Sequence, residues 1–286
     1  MKILITGAQG QLGRELQRSV PDSVEIIPLK REELDISDAM MVRHTITSFK
    51  PQVIINAAAY TAVDKAEDES DTAYAINADG PANLANIALD QGIRLLHIST
   101  DFVFDGKQSS PYRSKDTPNP SGVYGESKHE GEQNVLNALG DKCVIIRTAW
   151  VYSAFGNNFV KTMLRLMKER DHVDVVCDQI GTPTWAGGLA EALWKIAQKN
   201  ITGIYHWTDA GVASWYDFAV AIQEEALNIG LLEKAVPINP ITTKDYPTAA
   251  PRPAYSVLDK SSLWKELGAA APHWRENLRK MLRDLK

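Results

Sequence analysis

The chain has 286 residues, a formal net charge of −5, and 44% hydrophobic and 23% charged residues. This length supports one large domain or a main domain with a smaller lobe, the ordinary composition argues against disorder, and the acidic balance argues against a general nucleic-acid-binding surface. Cys143 and Cys177 make neither a disulfide framework nor a zinc spacing, and no apolar run reaches membrane-spanning length. The expectation is a soluble cytoplasmic protein with no nucleic-acid and no membrane partner.

Ile3-Leu4-Ile5-Thr6 reads as a strand that ends in Gly7-Ala8-Gln9-Gly10-Gln11-Leu12-Gly13, followed by a helix from Arg14 to Val20. A glycine turn between strand and helix is the context of a dinucleotide site, where the backbone approaches a pyrophosphate and the helix N-terminus supplies free N–H groups. The spacing is G-x-x-G-x-x-G rather than G-x-G-x-x-G. A second strand, Val24 to Leu29, leads to Lys30 and Arg31, at the point where an NAD site usually carries an acid. Cations there suit the 2′-phosphate of NADP, or are simply solvated loop residues. Asp35 and Ile36 follow, placed to line an adenine.

Ala39 to Lys50 reads as a helix closed by Pro51, and Val53 to Ala59 as a buried strand ending in the small residues Ala57, Ala58 and Ala59. Small side chains there admit a cofactor or tighten helix–sheet packing. A helical region from Thr72 to Gln91, interrupted at Gly80-Pro81, precedes the strand Leu95 to Ser99. Strands alternating with helices imply a parallel sheet with ligands at the strands' C-terminal ends. Thr100 and Asp101 stand at such an end; Thr100 either binds a carbonyl or caps a turn.

Val123 begins a helix in which Tyr124 and Lys128, four residues apart, share a face. A neighbouring cation lowers a phenol's pKa from about 10, and a fall toward 7 requires roughly 4 kcal/mol, more than one exposed lysine supplies. A desolvated lysine together with an oxidised nicotinamide meets that requirement. Taken alone, the spacing equally describes an ordinary helix tyrosine and a solvated lysine.

Lys142 to Arg147 is a further strand, with Trp150 after it at the ligand end. Asn158, Lys161 and Arg165 open an amphipathic helix whose cations face either a diphosphate or solvent. Val173 to Cys177 reads as a strand, Gly181 to Thr184 as a turn, Leu189 to Gln198 as a helix and Gly203 to Trp207 as a strand. Trp215 to Leu227 and Leu263 to Leu285 read as helices of a C-terminal lobe. Arg252, between Pro251 and Pro253, sits in a stiffened loop and carries a fork suited to phosphate.

Gly7/Gly10/Gly13, Asn56-Ala57-Ala58-Ala59, Ser99-Thr100-Asp101 and Tyr124-x-x-x-Lys128 together resemble the extended short-chain dehydrogenase/reductase family. The strings Asn56 to Asp64, Ser99 to Gly106, Arg147 to Tyr152 and Gly156 to Phe159 look like its members that reduce nucleotide-linked 4-keto sugars. The resemblance implies an α/β fold, a Rossmann-type doubly wound parallel sheet with a smaller C-terminal substrate-binding lobe. Residues 1–150 would form the NADP-binding domain, with 187–208 returning to it, and 151–186 with 209–286 the substrate lobe.

It also implies an NAD(P)H-dependent oxidoreductase in which Tyr124 donates a proton, Lys128 lowers the phenol's pKa and holds the nicotinamide ribose, and Thr100 orients the carbonyl. Cofactor contacts would come from Gly7, Gly10, Gln11, Leu12, Lys30, Arg31, Asp35, Ile36, Ala57, Ala58, Ala59, Tyr60, Thr61, Tyr124 and Lys128. Substrate contacts would come from Val63, Thr100, Asp101, Trp150, Asn158 and Arg252. The expected cofactor is NADPH, with NADH possible because Lys30 stands where some relatives carry an acid. Family members with a magnesium-linked dimer have a glutamate matching Glu15; one surface carboxylate is a weak metal site, so no magnesium requirement is expected, and the chain is a monomer or homodimer. Two rivals share the scaffold. One is a nucleotide-sugar dehydratase or epimerase, and the dehydratases follow the threonine with Asp-Glu, whereas Phe102 follows Asp101 here; the other is a cofactor-binding regulatory subunit resembling that of methionine adenosyltransferase, against which Thr100, Tyr124 and Lys128 are retained.

Overall fold

The computed structural model describes residues 1–286, the side chain of Asp141 excepted. Continuous apolar runs become the strands of a parallel sheet, as burial on both faces requires. In chain order the first half contains β1 (Lys2–Thr6), α1 (Gln11–Arg18), β2 (Glu25–Leu29), α2 (Ala39–Phe49), β3 (Val53–Asn56), the short helices α3 (Val63–Ala66) and α4 (Ser70–Tyr74), a π-helical turn (Ala75–Asp79), α5 (Gly80–Gln91), β4 (Arg94–Thr100), α6 (Val123–Leu139) and β5 (Val144–Thr148). The second half adds β6 (Val151–Tyr152), α7 (Phe159–Glu169), β7 (Val173–Val176), β8 (Ile180–Gly181), β9 (Thr184–Trp185), α8 (Ala186–Gln198), β10 (Gly203–His206), β11 (Ala213–Ser214), α9 (Trp215–Asn228), β12 (Ile238–Ile241), α10 (Ser261–Leu267) and α11 (Trp274–Arg283).

Six strands form the main sheet in the order β10-β5-β4-β3-β1-β2, with every pairing parallel. The chain leaves β1 toward β2 and then crosses to β3 on its other side. This reversal opens a crevice at the carboxyl ends of β1 and β3, the place where open α/β sheets bind ligands. Alternation along each strand builds two cores: Ile3 and Ile5 pack with α1 and α8 on one face, Leu4 and Ile54 with α2 and α5 on the other. A third core joins α7, α9 and α11 through Val160, Met163, Phe218, Ile222 and Leu278. Phe218 is wholly enclosed; burial of such a side chain contributes about 1.5–3 kcal/mol.

The helical region expected to be interrupted at Gly80-Pro81 is divided there, a π-helical turn ending at Asp79 and α5 beginning at Gly80 with the proline in its first turn. Two expectations change. Gly181 to Thr184 is not a free turn: Ile180–Gly181 pairs antiparallel with Ala213–Ser214, and Thr184–Trp185 pairs with Val151–Tyr152. The helix expected from Leu263 to Leu285 is two, since Gly268 ends α10 in the left-handed conformation and Pro272 lies before α11. Leu263 of α10 joins the core beneath the main sheet, and only α11 packs in the third core. Among the described residues no helix is long and apolar enough to cross a membrane.

Candidate active site

The glycine turn forms a cradle with no room for a side chain at Gly7 or Gly13. Gly7 has φ +66°, and a Cβ there would stand 2.7 Å from the Ala58 nitrogen; one on Gly13 would stand 2.3 Å from the Gly7 carbonyl oxygen. Gly10 is the N-cap of α1 and offers no side-chain cap, so the N–H groups of the first turn remain available to an anion. Gln9, Gly10, Gln11, Leu12, Ala57, Ala58, Ala59 and Thr61 continue this cradle into a cleft of about 1550 Å³. A dinucleotide pyrophosphate fits this backbone-lined, uncapped helix start.

β4 and α6 bring the reactive groups to the same cleft. Thr100 ends β4, and its Oγ1 accepts from the Phe102 N–H at 3.2 Å and donates to Asp101 Oδ1 at 3.0 Å. Glu67 Oε1 accepts from the Val123 N–H at 3.0 Å, which anchors the start of α6. Tight packing fixes the helix further: a Cβ on Gly125 would lie 2.3 Å from the Phe102 carbonyl oxygen. Thr100, Asp101, Tyr124 and Lys128 therefore line one wall.

Burial sets the electrostatics of this wall. Desolvation pushes the Tyr124 phenol up to about 12, the Thr100 hydroxyl opposing and the Asp101 carboxylate adding to the rise. Burial pushes Lys128 down to about 8, and its Nζ donates to the Ile98 carbonyl at 2.7 Å. Loss of solvent penalises the charged form of both groups. Burial likewise raises Asp101 to about 6, against hydrogen bonds from Ser256 and Thr100.

Val63, Trp150 and Arg252 also line the cleft. Trp150, at φ +47°, stacks on Trp215 with ring centroids 3.5 Å apart and planes at 8°. Asn158 is turned to other work: it caps α7 by accepting from the Lys161 N–H, and its amide donates to Gln11 Oε1 and the Ser153 carbonyl. Its neighbours Asn157 and Phe159 form the wall instead. Lys161 Nζ is held by the Gly156 carbonyl at 2.7 Å, and Arg165 pairs with Glu169 at 2.7 Å.

Gly7, Lys30, Arg31, Asp35, Ile36 and Tyr60 lie outside the cleft wall. Gly7 lies beneath the cradle and Tyr60 donates to Glu69. Lys30 and Arg31 follow β2, the strand beside the cradle, with Arg31 exposed and paired to Asp35 at 3.3 Å. Asp35 also accepts from Ser37, while Ile36 is buried against Gly80. Glu15 is fully buried rather than a surface carboxylate, held by Ser153 at 2.6 Å and Arg18 at 2.8 Å. Among the described residues no group of three or more His, Cys, Asp or Glu side chains suits a metal ion.

Trp215 and Asp64 also belong to the cleft wall and went unrecognised as site residues. Trp215 begins α9 behind the Ser214–Asp217 capping box, a signal for a helix start and not for a ligand. Asp64 stands inside the string Asn56 to Asp64, where its charge was the available cue.

The family model of the RmlD substrate binding domain matches residues 1–286. The chain is 48% identical to the dTDP-4-dehydrorhamnose reductase of Aggregatibacter actinomycetemcomitans, over 97% of each protein. It belongs to the dTDP-4-dehydrorhamnose reductase family. Among solved structures, the family member from Clostridium acetobutylicum superimposes with a TM-score of 0.94 at 44% identity, covering 100% of this chain and 99% of that one. The dTDP-4-dehydrorhamnose reductase from Bacillus anthracis, solved in complex with NADP, gives a TM-score of 0.93 at 38% identity over 99% of each chain.

Proposed function

We propose that the chain reduces the 4-keto group of dTDP-4-dehydro-L-rhamnose to give dTDP-L-rhamnose, with NADPH as reductant. The convergence of Thr100, Tyr124 and Lys128 on the cleft that begins at the glycine cradle carries this reading. The cradle of Gly10, Gln11 and Leu12 would hold NADPH, which would supply the hydride for the sugar carbonyl carbon. Thr100 orients the carbonyl oxygen, and Tyr124 gives that oxygen its phenolic proton as negative charge develops, which is general acid catalysis. A phenol near 12 is fully protonated at neutral pH, the form an acid catalyst needs, and a developing alkoxide is basic enough to take its proton. Lys128 places a cation beside the ribose position and stabilises the phenolate left behind.

In this reading residues 1–150 with 187–208 bind the cofactor, and 151–186 with 209–286 hold the nucleotide sugar. Val63, Asp101 and Trp150 contact the sugar, and Arg252 contacts the diphosphate. Lys30 and Arg31 serve the 2′-phosphate at the end of β2. Phe102, where a dehydratase would carry an acid, meets the Tyr124 ring edge-on at 5.4 Å and brings no second proton donor. The test is to mix the protein with NADPH and dTDP-4-dehydro-L-rhamnose and follow the absorbance of the reduced nicotinamide. One NADPH consumed per dTDP-L-rhamnose formed is expected; cofactor binding without turnover would contradict the reading.

A further inference from the structure

Tyr124, Lys128 and Glu132 follow at intervals of four along α6, so their side chains climb one side of the helix. The first two line the cleft; Glu132, fully buried, sits behind them. Arg147 of β5 grips its carboxylate with two prongs, Nε to Oε1 at 2.8 Å and Nη2 to Oε2 at 2.6 Å. The rest of that guanidinium is directed elsewhere, with Nη1 donating to the Ser114 carbonyl and the group lying 5.0 Å over the Phe104 ring. Such a buried pair is weak as a stabilising device, since apolar residues of the same shape often serve as well. Its place one turn behind Lys128 suggests another use.

We propose that Glu132 is a positioning residue for the reduction: its carboxylate, fixed by Arg147, keeps Lys128 charged and aimed at the cofactor ribose from within a buried helix–sheet interface. Glu132 is the anion that opposes the desolvation of Lys128. Burial pushes Glu132 itself upward, but Arg147 and His129 hold it at about 2, so it stays ionised across the working range. Among the described residues, Asp101 shares the cleft wall with Lys128 but Glu132 is the charge that acts on the lysine. His97 of β4 is pushed well down by burial and by Lys128, and His206 of β10 falls to about 4 through burial and Arg147. Asp259 faces His206 rather than the lysine.

This inference rests on the role given to Lys128 above. Its test uses Glu132→Gln, the paired Glu132→Gln/Arg147→Gln, and Glu132→Asp. The paired variant avoids leaving one buried charge without its partner. For each, kcat/KM for the sugar is measured against pH with NADPH saturating, and NADPH affinity is titrated separately. The expected result is a basic limb displaced downward by about one pH unit or more in Glu132→Gln, as loss of a neighbouring anion dictates, and smaller downward displacements in the paired variant, where the Arg147 cation is lost as well, and in Glu132→Asp. A merely structural role lowers kcat/KM uniformly and leaves the limb in place. A wild-type limb in whichever of these variants folds overturns the proposal. Lys128→Met separates the two failures: full turnover in that variant removes the Lys128 role itself, whereas lost turnover there with an unmoved limb in the Glu132 series removes only Glu132.

Discussion

Arg252 Nη2 donates to Asp64 Oδ2 at 2.7 Å, while Asp64 Oδ1 accepts from the Ala250 N–H at 3.1 Å. The contact ties α3 to the proline-stiffened loop 250–253, across the cleft that both line. Asp64 is about half exposed, and an ion pair of this kind contributes at most about 1 kcal/mol. Stability is therefore a poor account of Arg252. Its Nη1 is buried and makes no hydrogen bond among the described residues, which leaves a donor for a diphosphate oxygen.

Arg252→Ala is accordingly expected to raise KM for the nucleotide sugar about tenfold or more, the equivalent of a charge-assisted hydrogen bond of roughly 1.5–3 kcal/mol. NADPH affinity and melting temperature should change little. Steady-state kinetics beside a cofactor titration provide the check, and an unchanged KM removes Arg252 from diphosphate binding.

Asp101 places a stability cost in the site. Burial raises its carboxyl from 3.8 to about 6, and each unit corresponds to about 1.4 kcal/mol. A carboxyl whose folded pKa is raised destabilises the fold when ionised: the cost is absent below the unfolded value and fully present above the folded one. Asp101→Asn should thus gain stability relative to wild type as pH rises from about 4 to 6, reaching roughly 1–3 kcal/mol at neutrality, while losing turnover. Denaturant melts at several pH values test this; a stability difference that does not vary with pH would contradict it.

Arg31 is exposed beside the cofactor cradle, tethered by a 3.3 Å contact to Asp35. A fork so placed can leave its tether for a 2′-phosphate at little cost. Arg31→Ala should reduce the preference for NADPH over NADH by about tenfold, mainly through weaker NADPH binding. Equal discrimination in variant and wild type would return Arg31 to the solvated loop.

The parallel sheet was legible because apolar runs such as Ile3-Leu4-Ile5 and Val53-Ile54-Ile55 have few alternatives to burial on both faces. Tyr124 and Lys128 were legible as a pair because helical spacing is local. The sign of the Tyr124 shift was not, since it depends on how much solvent the folded cleft removes. Asn158 looked like a ligand group because its type suits both a sugar and a helix cap, and the start of α7 claims it. Trp150 was assigned to the sugar, but its stacking partner Trp215 comes from a distant helix that local pattern does not connect to it. The C-terminal helices were merged because Ala269, Ala270 and Ala271 favour helix, and the Gly268 stop prevails over them.

The central claim is that Tyr124 supplies the proton, and Tyr124→Phe tests it most directly. Removing one oxygen keeps the ring against Phe102, so NADPH should bind with wild-type affinity. With saturating NADPH and dTDP-4-dehydro-L-rhamnose, kcat measured by loss of reduced nicotinamide is predicted to fall by about 10²-fold or more, the usual share of a positioned general acid. A kcat within a few-fold of wild type would contradict the account and assign the proton to another group.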